Sequence, residues 1–561
     1  MRRPAYFALL LALAPLACRP APTGPEVTVT PEPTAVPAAP VVPALGTAEQ
    51  RARLFAEIWD KTARREAFSP IKNERLALDV EAAMRAFEPE LLAAGDDVEL
   101  FYALVKISNA RKDRHLKVKP VPGGLVVPGW EERREAPLRF AADFGGGERG
   151  VFVADLDEGF FAAGAFSRVP ARGDRVVTVN GQPLAAWAAA VEPYSRYSTI
   201  DGFWWHFADG LHVRGAQLPP WMYQEPVVYG LVGADGAAYE VALPYLPPGE
   251  IAWAGPTRPR YPDMRLEYAT ETYELYRHTK GRAVVLLRWF GFKGSLVADV
   301  DRLMAYAAKE RLLGHALIVD ATDSGGGARG VYALQRMTGR PFKTTGGNLR
   351  LSDVVEAFVA AKRAEVAGGG PRDGGTPESD DGGARLIAWL EGPVMQALRA
   401  GRAYTEVVPF KLAHLPADSD RVAQPAEIHF TGPLVCFFGP RGGSHLDQFA
   451  AMVIDNELGH TIGMPTGGYS NTWEWSEVLT MPGTGRPLVE FMWSIGHTIR
   501  PNGEILEGNP AEPAERLPPT AENYQDYHAL LLERAYAHFD ARNRAERNRA
   551  LRGARGRKDR R

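Results

Sequence analysis

Residues 434 to 453 constrain this chain more than any other stretch. Leu434-Val435-Cys436-Phe437-Phe438 is a short apolar run bounded by turn residues, the pattern of a buried strand. A glycine-rich turn, Gly439 to Gly443, follows it, then Ser444. From His445 onward, Leu446, Phe449, Ala450 and Val453 recur at helical spacing. Strand, tight turn, serine and helix together lift a hydroxyl to the rim of a sheet. There the N–H groups of a helix start can stabilise an oxyanion. The same order also occurs in ordinary αβ connections with a surface serine, so the stretch taken alone leaves both readings open.

Two further strands belong with it. Arg282–Trp289 and Leu317–Asp320 are apolar runs separated by an amphipathic helix over Gly294–Leu313. The second ends in Ala321-Thr322-Asp323-Ser324-Gly325-Gly326-Gly327, and a helix follows from Val331. This alternation predicts a parallel, crossover-connected sheet. The glycine turn has no Lys and no phosphate-loop spacing, which argues against a nucleotide site.

At 561 residues the chain is long enough for two to four units. With 45% hydrophobic and 24% charged residues its composition is that of a globular protein. Arg2 and Arg3, the apolar segment Ala5–Leu16, and Leu16-Ala17-Cys18 have the layout of a signal peptide over 1–18. That end also resembles a bacterial lipoprotein signal with Cys18 as the lipidated residue. The expected location is then the periplasm or cell envelope, lipid-anchored to the outer membrane, with simple secretion as the alternative. Cys436 is the only other cysteine, so no disulfide framework is expected and Cys436 reads as a small core residue.

Residues 19–46, rich in Pro, Ala, Thr and Val, read as a tether. Residues 47–122 read as a helical region, with apolar periodicity over Arg51–Lys61, Val80–Leu92 and Val98–Ser108; His115 lies where it gives way to a strand. Residues 123–255 carry Arg172-Gly173-Asp174, a strand over Arg175–Val179 and the hairpin turn Asn180-Gly181. That order resembles a PDZ domain, a module that captures peptides by strand addition. The aromatics Phe203, Trp204, Trp205, Trp221 and Tyr223 read as core. Residues 344–385 read as a flexible insertion. Phe491-Met492-Trp493 and Thr498-Ile499-Arg500 read as flanking a hairpin, and Glu522–Asp540 as a last amphipathic helix. Residues 541–561, with nine Arg and one Lys against one Glu and one Asp, read as a basic disordered tail. No nucleic-acid partner is expected.

Taken in order, these motifs resemble the S41 serine peptidases. Asp113-Arg114-His115 looks like that family's Asp-Gly-His element, Leu317–Gly327 its strand and glycine turn, and Gly442-Gly443-Ser444 through Phe449 its nucleophile turn. Gly463–Gly468 and Ile505-Leu506-Glu507-Gly508 with Pro513 are similar to two later stretches. The resemblance implies an α/β, or α+β multidomain, fold. A helical N-terminal region and a PDZ-like domain would precede a crotonase/ClpP-like αβ peptidase core over 265–540.

One branch of the family uses a Ser–Lys dyad. The lysine position here is Tyr469, and no Lys lies between Lys411 and the tail, so that chemistry is excluded by residue type. Tyrosine is a poor substitute, with an unperturbed pKa of about 10. The other branch, to which the chlamydial secreted protease belongs, uses Ser, His and Glu. Carried over, the resemblance implies Ser444 as nucleophile, His115 as base and Glu507 as the orienting carboxylate, acting directly or through another polar residue. Imidazole can take the serine proton and return it to the leaving amine, and a carboxylate steadies the imidazolium. The N–H groups of Gly326, with Gly325 as the alternative, and of His445 would form the oxyanion hole. No metal or cofactor is implied, and protein or peptide substrates are. Asn456-Glu457-Leu458-Gly459-His460 lacks the first histidine of a zinc-protease helix.

The chain departs from the family pattern at Arg114, where the family has Gly, at Thr322 and Ser324 after the strand, and at His445 and Asp447 after the nucleophile. These departures define the rival reading, a catalytically inactive peptide-binding lipoprotein.

Overall fold

A computed structural model describes residues 45–255, 258–368, 382–409 and 421–558. The leader, Cys18, the tether up to residue 44 and part of the glycine-rich insertion lie outside the described residues.

The core over 265–540 is built on a seven-stranded sheet. Its spatial order is Met264–Ala269, Tyr273–His278, Val284–Trp289, Ala316–Asp320, Leu434–Phe438, His460–Gly463 and Glu515–Arg516. The first three pair antiparallel. From Val284–Trp289 onward every pairing is parallel. Such strands are covered on both faces, which is why they read as unbroken apolar runs. Val285, Leu287, Leu317, Val319, Cys436 and Phe438 point to one face, beneath the helices Leu296–Lys309, Gly330–Met337 and His445–Asp455. Leu286, Ile318, Val435 and Phe437 point to the other, where Leu531, Leu532 and Ala535 of the last helix cover them. Cys436 is fully buried, and burial pushes its thiol pKa up.

The N-terminal helices are as the periodicity predicts. Thr47 and Gln50 form a capping box on Ala48–Arg65, and Asp96 caps Asp97–Asn109. Val80–Leu92 is split into two short helices, Val80–Arg85 and Glu88–Ala93, with Pro89 in the first turn of the second. These helices pack on the hairpin Glu474–Thr480/Pro487–Ser494, whose edge is extended by Val118–Pro120. The strand just after His115 is thereby tied to a hairpin almost 400 residues later in sequence.

An antiparallel sheet over Leu138–Leu243 forms a third core with the helix Ile200–Gly210. The turn between Arg175–Val179 and Gln182–Pro183 is the expected two-residue one, with Asn180 at φ 50 and Gly181 at φ 76. Phe203 is a core residue as expected, beside Phe207, but Trp221 is exposed.

Four expectations are corrected. The helix Tyr527–Lys558 runs through most of the segment read as a disordered tail. Its Arg- and Ala-rich composition favours helix, and Arg542 pairs with Glu546 one turn on. The same helix starts later than Glu522. Within 344–385, Val355–Ala367 is a regular helix packed through Val355, Phe358 and Val359. Thr498–Ile499 pairs with Gly346–Gly347 rather than forming a hairpin with Phe491–Trp493. The Asn502-Gly503 turn closes a smaller loop, Ile499 against Ile505.

Candidate active site

The turn after Leu434–Phe438 is shaped by close backbone approach. A methyl group on Gly442 would lie 1.9 Å from the Ser324 carbonyl oxygen, so only glycine lets the two glycine turns cross there. Ser444 then adopts φ 60 and ψ −122, a conformation that costs a side-chain-bearing residue of order 1–3 kcal/mol. It stands at the N-cap of His445–Asp455, yet its hydroxyl makes no capping bond. A strained serine whose hydroxyl is not tied to its own helix is suited to attack. Ser444 is half-buried.

Gly326 faces it. A methyl group there would lie 2.6 Å from Ser444 Cβ and 3.1 Å from its Oγ. The Gly326 carbonyl accepts from Phe292 at 3.1 Å, while its N–H has no acceptor among the described residues. Gly325 differs, because its N–H donates to the Phe290 carbonyl at 3.0 Å. That bond belongs to the packing of the turn on the neighbouring strand end, and it removes Gly325 as an oxyanion donor. The His445 backbone is the first residue of the helix. Its ring turns the other way, with Nε2 accepting the Gly330 N–H at 2.6 Å and the ring edge-on to Phe292 at 5.0 Å. The imidazole of His445 is thus engaged on the adjacent helix.

His115 arrives on the turn after Asp97–Asn109. Asp113 Oδ1 accepts the His115 N–H at 2.8 Å, an Asx-type turn that fixes where the ring leaves the backbone. Asp113 Oδ2 accepts from Asn471 at 2.6 Å and from Ser494 at 2.9 Å. These donors, Lys72 and the neighbouring His115 hold the Asp113 carboxyl below its usual range, although burial works against them. The His115 ring lies edge-on to Tyr469 with centroids 5.2 Å apart.

Glu507 is fully buried. Its Oε2 accepts the Ser470 N–H at 2.9 Å, and Lys72 Nζ stands 3.8 Å from Oε1. Burial and the neighbouring Asp113 charge raise the Glu507 pKa, against the pull of Lys72. The two carboxyls are thus pushed in opposite directions, Asp113 toward its charged form and Glu507 toward its neutral one. Glu507 makes no direct hydrogen bond to His115, and His115 Nδ1 is buried without a partner among the described residues. The direct form of the expected Glu507–His115 contact is not made.

The segment Gly467–Asn471 joins these parts. The Gly467 N–H donates to Gly442, and Ser444 N–H donates to the Tyr469 carbonyl. Gly468 N–H donates to Asp447 Oδ1 at 2.9 Å. The Tyr469 ring meets His115, Ser470 holds Glu507, and Asn471 holds Asp113. Asp447 is buried, and burial pushes its pKa up to about 7. Sequence reasoning gave no role to Asp113, Asp447 or Tyr469; the two-residue Asp–His spacing was the one signal that could have exposed the first. The stretch Asn456–His460 is a helix end entering a strand, with Asn456 bonded to Lys343.

Parallel sheet, crossover helices, a helical N-terminal region and a serine on a glycine turn are the architecture that the resemblance to S41 peptidases implies. Among solved structures, mature CPAF complexed with lactacystin superposes with a TM-score of 0.62, at 14% identity, over 87% of this chain and 97% of that one. Mature CPAF without that compound gives the same score over 96% of its chain. No family model matches the sequence, and no curated protein resembles it in sequence. At this identity the likeness is one of fold.

Proposed function

We propose that the chain is a serine endopeptidase that hydrolyses protein or peptide substrates through an acyl-enzyme. The observation that carries this reading is the strained Ser444, its hydroxyl beside the N–H-bearing Gly326 backbone. Ser444 Oγ attacks the scissile carbonyl and its proton passes to the His115 imidazole. The carbonyl oxygen becomes an oxyanion facing the N–H groups of Gly326 and His445. Each such donor is typically worth on the order of 3 kcal/mol in the transition state. His115 then protonates the leaving amine, and water repeats the sequence on the ester. The Asp113 charge stabilises the imidazolium through space, while Glu507 positions the Tyr469–Asn471 segment and, through it, His115 and Asp113.

In this reading the sheet over Leu138–Leu243 is a PDZ-like module that presents peptide tails. Cys18 is lipidated after removal of the leader, which anchors the enzyme in the cell envelope. Loss of radiolabelled palmitate incorporation in Cys18→Ala tests that anchor, and equal labelling refutes it.

A fluorophosphonate probe tests the chemistry. Labelling of the native chain that disappears in Ser444→Ala and falls sharply in His115→Ala is expected. Absence of labelling in the folded native chain would sink the peptidase reading and leave the inactive peptide binder.

A further inference from the structure

Lys72 is a buried cation to which the chemistry above gives no part. It lies on the short helix Pro70–Arg75, whose start is fixed to the site. The Ser69 hydroxyl accepts the Lys72 N–H at 3.2 Å and donates to the Glu507 carbonyl at 2.7 Å. The stem of Lys72 then packs on Gly508, where an added methyl group would lie 2.4 Å from its Cβ and Cγ. At the far end, Nζ donates to the Arg111 carbonyl at 3.0 Å and stands 3.8 Å from Glu507 Oε1. One ammonium therefore bridges the turn that delivers Asp113 and His115 and the segment that delivers Glu507.

The charges around Lys72 are unequal. Glu66, Asp113 and Glu507 are buried there with Lys72 and Arg111. Arg111 Nη1 pairs with Glu66 Oε2 at 3.0 Å, which leaves Lys72 facing Asp113 and Glu507. Its field also reaches Glu66, whose pKa burial raises to about 7, and His497, whose pKa burial lowers. His115 faces Asp113 from the same turn, and Ser198 and Ser470 face Glu507. Glu507 Oε1 is buried without a hydrogen-bond partner, and Lys72 is the one cation within ion-pair distance of it among the described residues. Two neighbouring carboxyls in a dry interior resist joint ionisation unless a positive charge offsets them. Burial works to raise the Asp113 pKa, and the Lys72 charge leads the groups that hold it down.

We propose that Lys72 is a positioning residue of the peptidase site, an ammonium that clamps the His115 turn to the Glu507 segment and keeps Asp113 ionised beside the imidazole. The inference rests on the peptidase reading. Lys72 acts through Asp113 and Glu507 and not on the substrate. Loss of its charge makes the surrounding carboxyls hold their protons to higher pH. The acid limb of activity, on which Asp113 becomes protonated, then moves up as well.

The test is the pH profile of kcat/KM on a fluorogenic peptide for the full native chain, Lys72→Met and Lys72→Arg. Methionine keeps most of the stem and removes the charge; arginine keeps the charge. In Lys72→Met the acid limb should move up by about one pH unit, which lowers the rate about tenfold at a pH on that limb. In Lys72→Arg the limb should stay in place even where kcat falls. A loss in Lys72→Met that is the same at every pH marks a packing role and overturns the proposal. A limb displaced equally in Lys72→Arg overturns it too, and that arm stands when Lys72→Met does not fold. Melting curves read the same charge without turnover. Asp113 in Lys72→Met loses its stabilising contribution at neutral pH, so the gap to the native midpoint should widen between about pH 4 and pH 7. A constant gap overturns the proposal; a variant that folds only in acid supports it. A native chain that hydrolyses no peptide at any pH refutes the peptidase reading, and the melting curves then decide the charge role alone.

Discussion

The N–H of Ser444 donates to the carbonyl of Tyr469 at 2.6 Å. This bond joins the strained nucleophile turn to the one segment that also touches His115, Glu507, Asp113 and Asp447. The residue that occupies the lysine position of the dyad branch thus works here as a fixture. Its ring fills the space above Gly443 and Gly467, where added methyl groups would lie 2.4 Å and 2.6 Å from ring carbons.

Removal of the Tyr469 ring should therefore impair turnover without touching any group that reacts. Tyr469→Ala is expected to lower kcat about 100-fold, the scale of a displacement near 1 Å, with KM changed little. Tyr469→Phe, which keeps the ring, should retain most of the activity. Equal losses in the two variants would contradict a packing role. Steady-state kinetics on a fluorogenic peptide reads the difference.

Gly326→Ala is expected to abolish labelling by a fluorophosphonate in a chain that still melts cooperatively. The added methyl group would meet Ser444 Cβ at 2.6 Å and fill the space that the oxyanion must occupy. The same methyl would lie 3.0 Å from the Gly443 carbonyl oxygen, so the turn must shift and some stability is lost with it. Retained labelling would remove Gly326 from the oxyanion hole.

Two buried carboxyls should give opposite pH signatures. Asp113 has a depressed folded pKa, so its stabilisation is complete above its unfolded pKa of about 4 and is lost as pH falls through the lower folded value. Asp447 has a folded pKa raised to about 7. Its favourable contribution is complete below about pH 4 and disappears as pH rises through about 7. Melting curves should show the gap between the native chain and Asp113→Asn narrowing below pH 4. Between pH 4 and 7 the native midpoint should fall more steeply than that of Asp447→Asn. Parallel curves for the native chain and either variant would refute that assignment. Asp113→Asn should also lower kcat by roughly 100-fold or more, since the imidazolium loses its nearest charge.

The strands of the central sheet were legible because both of their faces are buried and the apolar runs are unbroken. The strand, glycine turn and helix around Ser444 were legible from their pattern, whereas the roles proposed for Ser444 and His115 rest on the order of motifs. The contacts among them were not, because each joins residues that are remote in the chain: Asn471 to Asp113, Ser470 to Glu507, Arg114 to Arg196. No periodicity reports such pairs. The helix over 541–558 was missed for a different reason. Charge density argued for disorder, whereas Arg and Ala are good helix formers and the apolar anchor of that helix, Leu531 to Phe539, lies upstream of the basic stretch.

The hydrogen bonds of the site bridge sequence separations of 358 residues between Asn471 and Asp113 and 438 between Ser69 and the Glu507 carbonyl. Contacts of that span, like the pairings of the parallel sheet, are expected to close after the local helices form. On the proposed reading, a chain still emerging, or an N-terminal half, holds His115 and Asp113 but neither Ser444 nor the Tyr469–Asn471 segment that steadies them. The proposed peptidase activity would thus report on completed tertiary structure, which would spare unfolded neighbours, and the chain itself, from an enzyme active before it is whole.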